Sequence, residues 1–294
     1  MAITTGQFER ALYPALRVVI KDAEEELMPE YTVMFNVLDT SRAYEEEWTW
    51  AGLGLPAAKP EGQPTAQSMP VTGYYTRYNQ ATYGLLYRVT LEMRQFEKYG
   101  VIRELGHDLG SSIHEGIELL TSGILNLGTT TNLADGVPLF SLVHPIYRGG
   151  TQSNRLSTLS DLTYTSYQQL LTMFETVLSN EGRKRRLTPS VLWHAPAMEW
   201  KAREILESTD RPDTANRAVS TIHNRRVTRF MWHYGTSSTV WGMKGLKTFD
   251  RVFFGMRPTT SKGFEFDTED FKVKELFMVS YGVTDYRGWF LGNS

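Results

Sequence analysis

Four short stretches of this sequence contain residue types that could catalyse a reaction or hold an ion. The segment HEGIE at residues 114–118 resembles the start of a zinc-binding helix, but the second histidine of that motif is missing. His107 lies seven residues before His114, about 10.5 Å along a helix axis, which is too far for one ion to bridge. We therefore predict no metal site and interpret both histidines as surface or packing residues.

A second stretch contains the residue types of a hydrolytic triad. Asp135, Ser141 and His144 fall within ten residues of one predicted loop, with neither a nucleophile elbow nor a recognisable oxyanion hole. We keep a hydrolase that uses His144 as an alternative for the function.

The remaining two stretches could contact phosphate. The sequence GMKGLK at residues 242–247 lacks both the spacing of a phosphate-binding loop and the Ser or Thr after its lysine. The basic run consists of Arg183, Lys184, Arg185 and Arg186. No aromatic residues are interleaved with it, so a solvated turn or an ion pair between subunits explains it better than a nucleic-acid surface.

Composition describes a folded chain with a nearly neutral charge. The chain has 294 residues, of which 41% are apolar, and it contains no cysteine, which excludes disulfides and thiolate metal sites. A net charge of −2 argues against tight wrapping of nucleic acid. Residues 1–9 contain no basic flank or apolar run, and no later window approaches eighteen apolar residues, so we predict neither an export signal nor a membrane span.

The chain is organised around residues 45–90, which we predict to form a long β-hairpin. Its first leg contains Trp48 and Trp50, and its second leg carries five of the fifteen tyrosines, from Tyr74 to Tyr87. The connecting tip is rich in glycine and proline and packs no core of its own. Two legs of about fifteen residues would span about 50 Å, so the hairpin should project and need a second copy of the chain to cover it.

Helical periodicity marks an N-terminal amphipathic arm and one long helix. Apolar residues recur every three or four positions over residues 8–27, interrupted by Pro14, and again over residues 102–127. Further helices are predicted at 164–180 and 196–205, and strands at 190–194, 227–232, 251–255, 271–280 and 282–291. Helices and antiparallel strands are segregated rather than alternating, which indicates an α+β fold.

The loop before residue 164 carries the most specific pattern in the chain. It reads DGVPLFS at residues 135–141, then His144-Pro145, Gly149-Gly150 and Ser153-Asn154, and the pattern continues through Pro189, Leu192 and Pro196 to MEWKAREILES at 198–208. In these residues the chain resembles the Mu-like prophage major head subunit family, major capsid proteins of tailed phages. The resemblance covers residues 78–208.

This resemblance implies the HK-ninety-seven-type capsid fold, an α+β architecture. Its parts would be an N-terminal arm at residues 1–40, an extended β-hairpin loop at 41–90, a peripheral domain with a long spine helix at 91–195, an axial domain at 196–266, and closing strands of the peripheral domain at 267–294. The axial domain would surround the five-fold and six-fold centres of the shell.

The resemblance also bears on cross-linking and scaffolding. Some capsids of this fold join a lysine of the extended loop to an asparagine near the closing strand of a neighbour, helped by a buried glutamate. Lys59 lies at the loop tip, but residues 271–291 contain no asparagine, so this cross-link is not expected. Because the arm starts at once, we expect a separate scaffold protein.

The sequence therefore predicts a major capsid protein without catalytic function, which assembles into hexamers and pentamers of an icosahedral shell around double-stranded DNA. Its partners would be copies of itself, scaffold and portal proteins, decoration proteins, and packaged DNA through weak non-specific contact, with no cofactor and no membrane. The virion capsid would be assembled in the cytoplasm of a bacterial host. An encapsulin-like compartment shell, which holds cargo enzymes, is the first alternative.

Two groups of side chains are predicted to act between subunits. The extended loop would bury these residues against a neighbour: Trp48, Trp50, Lys59, Tyr74, Tyr75 and Tyr78. Two acidic clusters would form ion pairs with the basic run of another copy: Glu24, Glu25, Glu45 and Glu46 with Arg183, Arg185 and Arg186.

Overall fold

The chain divides into two compact units, each built on a four-stranded sheet. A computed structural model describes residues 5–50, 52–69, 72–96, 99–147, 149–211, 219–222 and 225–293, with only the backbone at 5–12, Gln95 and Tyr99. The first unit comprises Met1–Glu45, Tyr78–Thr121 and Arg251–Tyr281. The second comprises Glu46–Arg77, Ser122–Asp250 and Gly282–Ser294.

Helices and strands are segregated along the chain, in agreement with the predicted α+β class. The helices are α1 (Thr5–Glu25), α2 (Tyr31–Met34), α3 (Leu91–Phe96), α4 (Tyr99–Asn126), α5 (Tyr164–Glu175) and α6 (Glu199–Glu207). The strands are β1 (Val37–Asp39), β2 (Tyr44–Trp50), β3 (Thr72–Asn79), β4 (Ala81–Val89), β5 (His144–Pro145), β6 (Thr151–Gln152), β7 (Pro189–His194), β8 (Thr228–Met231), β9 (Trp241–Gly245), β10 (Asp250–Phe264), β11 (Phe271–Val283) and β12 (Trp289–Asn293).

The first unit packs helices α1 and α4 together. Its sheet has the order β1-β10-β11-β4, with β1 parallel to β10 and β11 antiparallel to β4. Leu16 and Ile20 of α1 are buried. A side chain at Gly110 of α4 would place its Cβ only 2.3 Å from the backbone oxygen of Ile20, so the two helices approach as closely as glycine alone allows.

Helix α1 is continuous through Pro14, where the sequence predicts an interruption. A proline removes one backbone hydrogen bond from a helix interior and destabilises it when nothing compensates. Here Pro14 is exposed, while Leu16, Ile20 and Ala23 bury one face of the helix over the next turns. Packing of that face therefore outweighs the local preference.

The second unit has an aromatic core against a sheet of order β12-β9-β7-β8. Trp193 of β7 is fully buried, and its ring centroid lies 6.4 Å from Phe140, 5.6 Å from Trp232 and 6.3 Å from Trp289. Helix α5 begins with a capping box, in which Thr163 and Ser166 satisfy each other's backbone donors.

The two units divide the chain differently from the predicted segments. Residues 122–195, predicted to belong with 91–121, lie in the second unit, where β7 pairs with β8 and β9. Residues 251–266, predicted for the axial domain, lie in the first unit, where β10 pairs with β1. The predicted closing strands also separate, since β11 pairs with β4 whereas β12 pairs with β9.

The predicted hairpin is too long. Strand β2 has seven residues and β3 has eight, so the paired legs extend about 25 Å rather than about 50 Å. After Asn79 the chain enters β4, which pairs antiparallel with β11, and Tyr83 and Tyr87 therefore belong to the sheet of the first unit. The alternation in residues 81–89 is the same for either partner strand, so the sequence could not separate the two possibilities.

Candidate intersubunit surface

Residues 46–77, which we call the ribbon, expose an apolar surface. Trp50 and Leu55 are 64% and 76% exposed. Among the ribbon residues that the structure describes, the other large apolar side chains that are exposed are Trp48, Leu53, Met69, Tyr74 and Tyr75. Soluble monomers rarely leave so many large apolar groups uncovered in one segment, and such a patch marks an interaction site.

Contacts across the two strands give the ribbon its form. The rings of Trp48 and Tyr75 stack with their centroids 4.9 Å apart and their planes at 28°. The hydroxyl of Thr49 donates to the backbone oxygen of Tyr74 at 2.8 Å. Gly73 faces Thr49 so closely that an added Cβ would lie 2.7 Å from the Thr49 backbone oxygen. The strands are therefore paired tightly, while the aromatic groups on their surface stay uncovered.

The tip of the ribbon, residues 52–69, has no strand and few internal bonds. The backbone N–H of Gly54 donates to the Ser68 hydroxyl at 3.1 Å, and that of Gln63 donates to the Pro60 oxygen at 3.2 Å. Lys59 is exposed, as predicted for a tip residue. A segment with so little burial has a low local stability and can adapt to a partner.

A side-chain hydrogen bond attaches the base of the ribbon to the C-terminal segment of the same unit. The Thr284 hydroxyl donates to the carboxylate of Glu47 at 2.9 Å. Beside it, Arg77 lies 3.8 Å from the carboxylate of Glu46 across the two strands. These bonds orient the base of the ribbon and leave its aromatic surface accessible.

Tyr78 does not belong to the exposed surface, contrary to the prediction. It is only 2% exposed, and its ring packs edge-on against Phe253 with the centroids 5.2 Å apart. Strand β3 thus leaves the ribbon at Tyr78, where its side chain enters the core of the first unit.

Most of the charged residues predicted to act between subunits have partners within their own chain. Glu25 pairs with Lys21 at 3.4 Å, Glu45 with Arg42 at 3.3 Å, and Arg185 with Asp285 at 3.4 Å. The Glu25–Lys21 pair is exposed on both sides and is weak enough to exchange for a better partner, whereas Asp285, the partner of Arg185, is buried. By contrast, Arg183 and Arg186 are exposed and form no ion pair with any residue that the structure describes.

Glu24 is a correction to the prediction, because its carboxyl faces the buried Glu275 of its own chain. The two side chains share a hydrogen bond, and Glu275 is only 1% exposed. Glu24 is therefore not available to a basic residue of a neighbour while α1 stays in place.

His144 is the centre of a buried hydrogen-bond network in the loop 129–160. Its Nδ1 lies 2.7 Å from the Asp135 carboxylate, and its Nε2 lies 3.1 Å from the backbone oxygen of Leu139. The ring stacks on Tyr286 at 3.6 Å. Asn154 completes the network by donating to the backbone oxygen of Leu139 at 2.6 Å.

This network does not have the geometry of a hydrolytic triad. The Ser141 hydroxyl accepts from the backbone N–H of Val143 at 3.2 Å and forms no hydrogen bond to His144, although both residues and their surroundings are described. Each ring nitrogen of His144 meets an acceptor, so neither is free to take a proton from a nucleophile. The structure brings Asp135 and His144 together and adds Asn154, whose partnership the sequence did not predict.

The histidines considered for zinc are also apart from any ligand cluster. His107 is exposed, and its Nε2 lies 3.0 Å from the Glu26 carboxylate. Across the described ranges, no group of three or more His, Asp or Glu side chains converges as a metal site would require. Every helix in those ranges is too short or too polar to span a lipid bilayer.

Comparisons with known proteins show that this chain is similar to capsid proteins. A model of the phage capsid protein family matches residues 73–291. A chain from Microbacterium phage Oxtober96 has a TM-score of 0.58 at 8% identity, covering 90% of both chains. The capsid of a native GTA particle has a TM-score of 0.60 at 6% identity, covering 90% of this chain and 89% of the other. No sequence among the curated proteins matches.

A third solved structure is the capsid of bacteriophage JBD30, decorated with minor capsid protein trimers. It has a TM-score of 0.56 at 12% identity and covers 70% of this chain and 91% of the other. Identities this low show the fold alone, and they confirm the predicted α+β fold of the HK-ninety-seven type. Because the family match extends from β3 to β12, this chain belongs to the phage capsid protein family.

Proposed function

We propose that this chain is the major capsid protein of a Mu-like tailed phage, which assembles into hexamers and pentamers of an icosahedral shell around double-stranded DNA. The observation that carries the proposal is the apolar surface of the ribbon, which remains uncovered in a chain of the phage capsid protein family. A shell places identical neighbours beside every copy, so the same surface can be covered in each of them.

The ribbon supplies the residue types that dominate protein interfaces. Tryptophan and tyrosine are frequent binding hot spots because they bury a large area with few rotatable bonds. Burying a large apolar side chain contributes about 1.5–3 kcal/mol. Association costs at least about 4 kcal/mol of lost motional freedom, so several of the seven exposed side chains must be covered together.

The two units would form different domains of the shell subunit. The first unit contains most of α4, the predicted spine helix, and would serve as the peripheral domain. The second unit contains the sheet β12-β9-β7-β8 and would supply the axial domain around the five-fold and six-fold centres. In this arrangement the ribbon, at residues 46–77, would reach a neighbouring subunit as the extended loop.

Partners beyond the chain itself follow from the same proposal. Assembly in the cytoplasm of the bacterial host would require a scaffold and a portal protein. Packaged DNA would meet a chain with a net charge of −2, so its contact with the shell would be weak and non-specific. No catalytic role is included, because the bonds around His144 hold the loop 129–160 in place.

Deleting residues 52–70 tests the proposed role of the ribbon. The deletion removes the tip, which carries little of the burial of the second unit, so the variant should remain soluble and folded but form no closed shells. Electron microscopy and sedimentation of the expressed protein measure the outcome. A matched control replaces the exposed polar tip residues Glu61 and Gln63 with serine and should assemble as the unchanged chain does.

Normal shells from the deletion would contradict the proposed role of the ribbon. The content of purified particles then separates a capsid from a compartment shell. Nuclease-protected DNA supports the capsid, whereas a co-purifying cargo enzyme would indicate the encapsulin-like alternative.

A further inference from the structure

The buried face of β11 contains one carboxyl group in an otherwise apolar row. Phe271, Val273, Phe277 and Val279 are buried at alternate positions, as expected for one face of a strand, and Glu275 occupies the middle of this row with 1% of its surface exposed. A buried carboxylate is costly unless it is paired or neutral. Glu275 therefore needs a partner or a proton.

The partner that the fold supplies is another acid, Glu24 of helix α1. The side chains of Glu24 and Thr260 both hydrogen-bond to Glu275. Glu24 follows Ile20 and Ala23, which are 1% and 4% exposed, so it continues the buried face of the helix. Oε1 of Glu24 and Oε2 of Glu275 are both buried, and neither accepts a hydrogen bond from another residue that the structure describes.

Two carboxyl groups can share a hydrogen bond only if one of them carries a proton, because an ionised carboxylate has no donor. Burial, and then the hydrogen bond and charge of Glu24, raise the pKa of Glu275 to about 9, while the hydrogen bond of Thr260 acts in the opposite direction. The pair therefore holds one proton at neutral pH. Loss of that proton would leave two negative charges in contact in a poorly solvated site.

No cation among the residues that the structure describes acts on Glu275. On β4, Leu85 lies opposite Glu275. On β10, Arg257 is bonded to Asp39 at 2.9 Å, and Lys262 lies over the ring of Tyr13 at 4.4 Å.

The titratable groups near the pair on β4 and α4 are either hydrogen-bonded elsewhere or neutral. The Tyr87 hydroxyl of β4 lies 3.8 Å from the position of a Cβ at Gly106 on α4, and burial raises the pKa of Tyr87 to about 12, so it stays neutral. Further along α4, Glu118 accepts from the backbone N–H of Tyr31 at 3.2 Å. Protonation is thus the means by which the Glu24–Glu275 pair is neutralised.

We propose that the proton shared by Glu24 and Glu275 is a pH-operated latch, which holds α1 against the sheet of the first unit and releases the N-terminal arm when it is lost. The latch is a property of the folded chain and stands whether or not the chain assembles. In a shell it would make the position of the arm, and any contact that the arm makes with a neighbour, depend on pH.

The direction of the effect follows from proton binding. The latched form holds one proton more than the open form, in which Glu275 returns to its ordinary pKa of 4.5. Protection of α1 should therefore fall by about tenfold for each pH unit until about pH 9 and then stay level. Burial also raises the pKa of Glu118, to about 7, so the interval from pH 7 to pH 9 isolates the latch.

Hydrogen exchange of peptides covering residues 13–25 measures the latch. After correction for intrinsic exchange rates, the unchanged protein should lose about a hundredfold of protection between pH 7 and pH 9. Glu275→Gln should lose almost none, because the glutamine amide donates to Glu24 at every pH. The matched control is Glu25→Gln, an exposed neighbour bonded to Lys21, which should behave as the unchanged protein does.

A second variant decides the question if Glu275→Gln fails to fold. Glu24→Gln keeps Glu275 buried but removes the second charge, so its loss of protection over the same interval should be smaller than in the unchanged protein. Protection that is independent of pH in the unchanged protein would overturn the proposal, as would an equal loss in either variant. Full protection at pH 9 on addition of Ca²⁺ or Mg²⁺ would also overturn it, by assigning the pair to a cation.

Discussion

The ribbon and the loop 129–160 belong to the same unit, but the central side chains of the loop are buried within the chain whereas the large apolar side chains of the ribbon are exposed. The base of the ribbon consists of two regularly paired strands, β2 and β3, yet Trp50 at the end of β2 is 64% exposed. In the described part of the loop, the only strands are the two-residue β5 and β6, yet His144 and Asn154 at its centre are fully buried and hydrogen-bonded. Regular strand pairing of a segment therefore does not show whether its side chains are buried and hydrogen-bonded within their own chain.

This difference predicts which substitutions destabilise the fold and which weaken association. Removing a buried, bonded group leaves unsatisfied partners inside the second unit, whereas removing an exposed aromatic group leaves only water in contact with the ribbon. The loop should therefore determine folding and the ribbon should determine association.

The largest effect is expected from His144→Ala. It removes the partner of Asp135 and of the Leu139 oxygen and leaves a cavity beside Tyr286, so the free energy of unfolding should fall by about 3–5 kcal/mol. Urea unfolding measures the change. His107→Ala, at an exposed histidine, is the control and should stay within about 0.5 kcal/mol of the unchanged chain.

A loss smaller than about 1 kcal/mol in His144→Ala would mean that the loop is not held by this network. The same variant also tests the hydrolase alternative. A turnover activity that is present in the unchanged protein and lost in folded His144→Ala would restore that alternative.

Trp50→Ser should weaken assembly and leave the stability of the folded chain almost unchanged. The free energy of unfolding should change by less than about 0.5 kcal/mol, because the ring is exposed in the chain. The concentration needed for assembly should rise by about thirtyfold, if the ring contributes the roughly 2 kcal/mol of an interface hot spot. Light scattering against protein concentration measures this shift.

Trp200→Ser is the matched control for the ribbon tryptophan. Trp200 on α6 is 74% exposed but lies outside the ribbon, so its loss should leave assembly unchanged. Equal effects of the two substitutions would remove the distinction between the ribbon and other exposed apolar surface.

The smallest effect is expected from Arg186→Ser, which tests the proposed pairing of the basic run with Glu45 or Glu46 of another copy. An exposed ion pair contributes about 0.2–1 kcal/mol, so assembly should weaken slightly at low salt and be unchanged at high salt. Lys201→Ser, at an exposed lysine 3.6 Å from Asp161, is the control. An assembled shell in which Arg186 and both glutamates lie more than about 8 Å apart would exclude the pairing.

Sequence reasoning succeeded where the signal is local. The long helix predicted at residues 102–127 is α4, Tyr99–Asn126, because its apolar period is set by residues three and four positions apart. The exposed tryptophans of the ribbon were also predicted from their place beside a tip rich in glycine and proline. Glu275, the acid between Val273 and Phe277, breaks the alternation of β11, but the sequence analysis did not single it out.

The partners of these residues could not be read from the sequence, because pairing joins positions far apart in the chain. Residues 81–89 alternate equally well as a hairpin leg or as the edge of a sheet, and only the pairing with β11 decides between them. The sequence predicted that Glu24 pairs with a basic residue of another copy, but the fold places it against Glu275. Asp135 and His144 were considered as residues of a hydrolytic triad, but the structure joins them with Asn154 in a buried hydrogen-bond network. The sequence by itself determined the elements and the family pattern, since both depend on neighbouring residues. Only the tertiary structure decided which side chains are satisfied within the chain, because burial depends on what the whole fold places against each one.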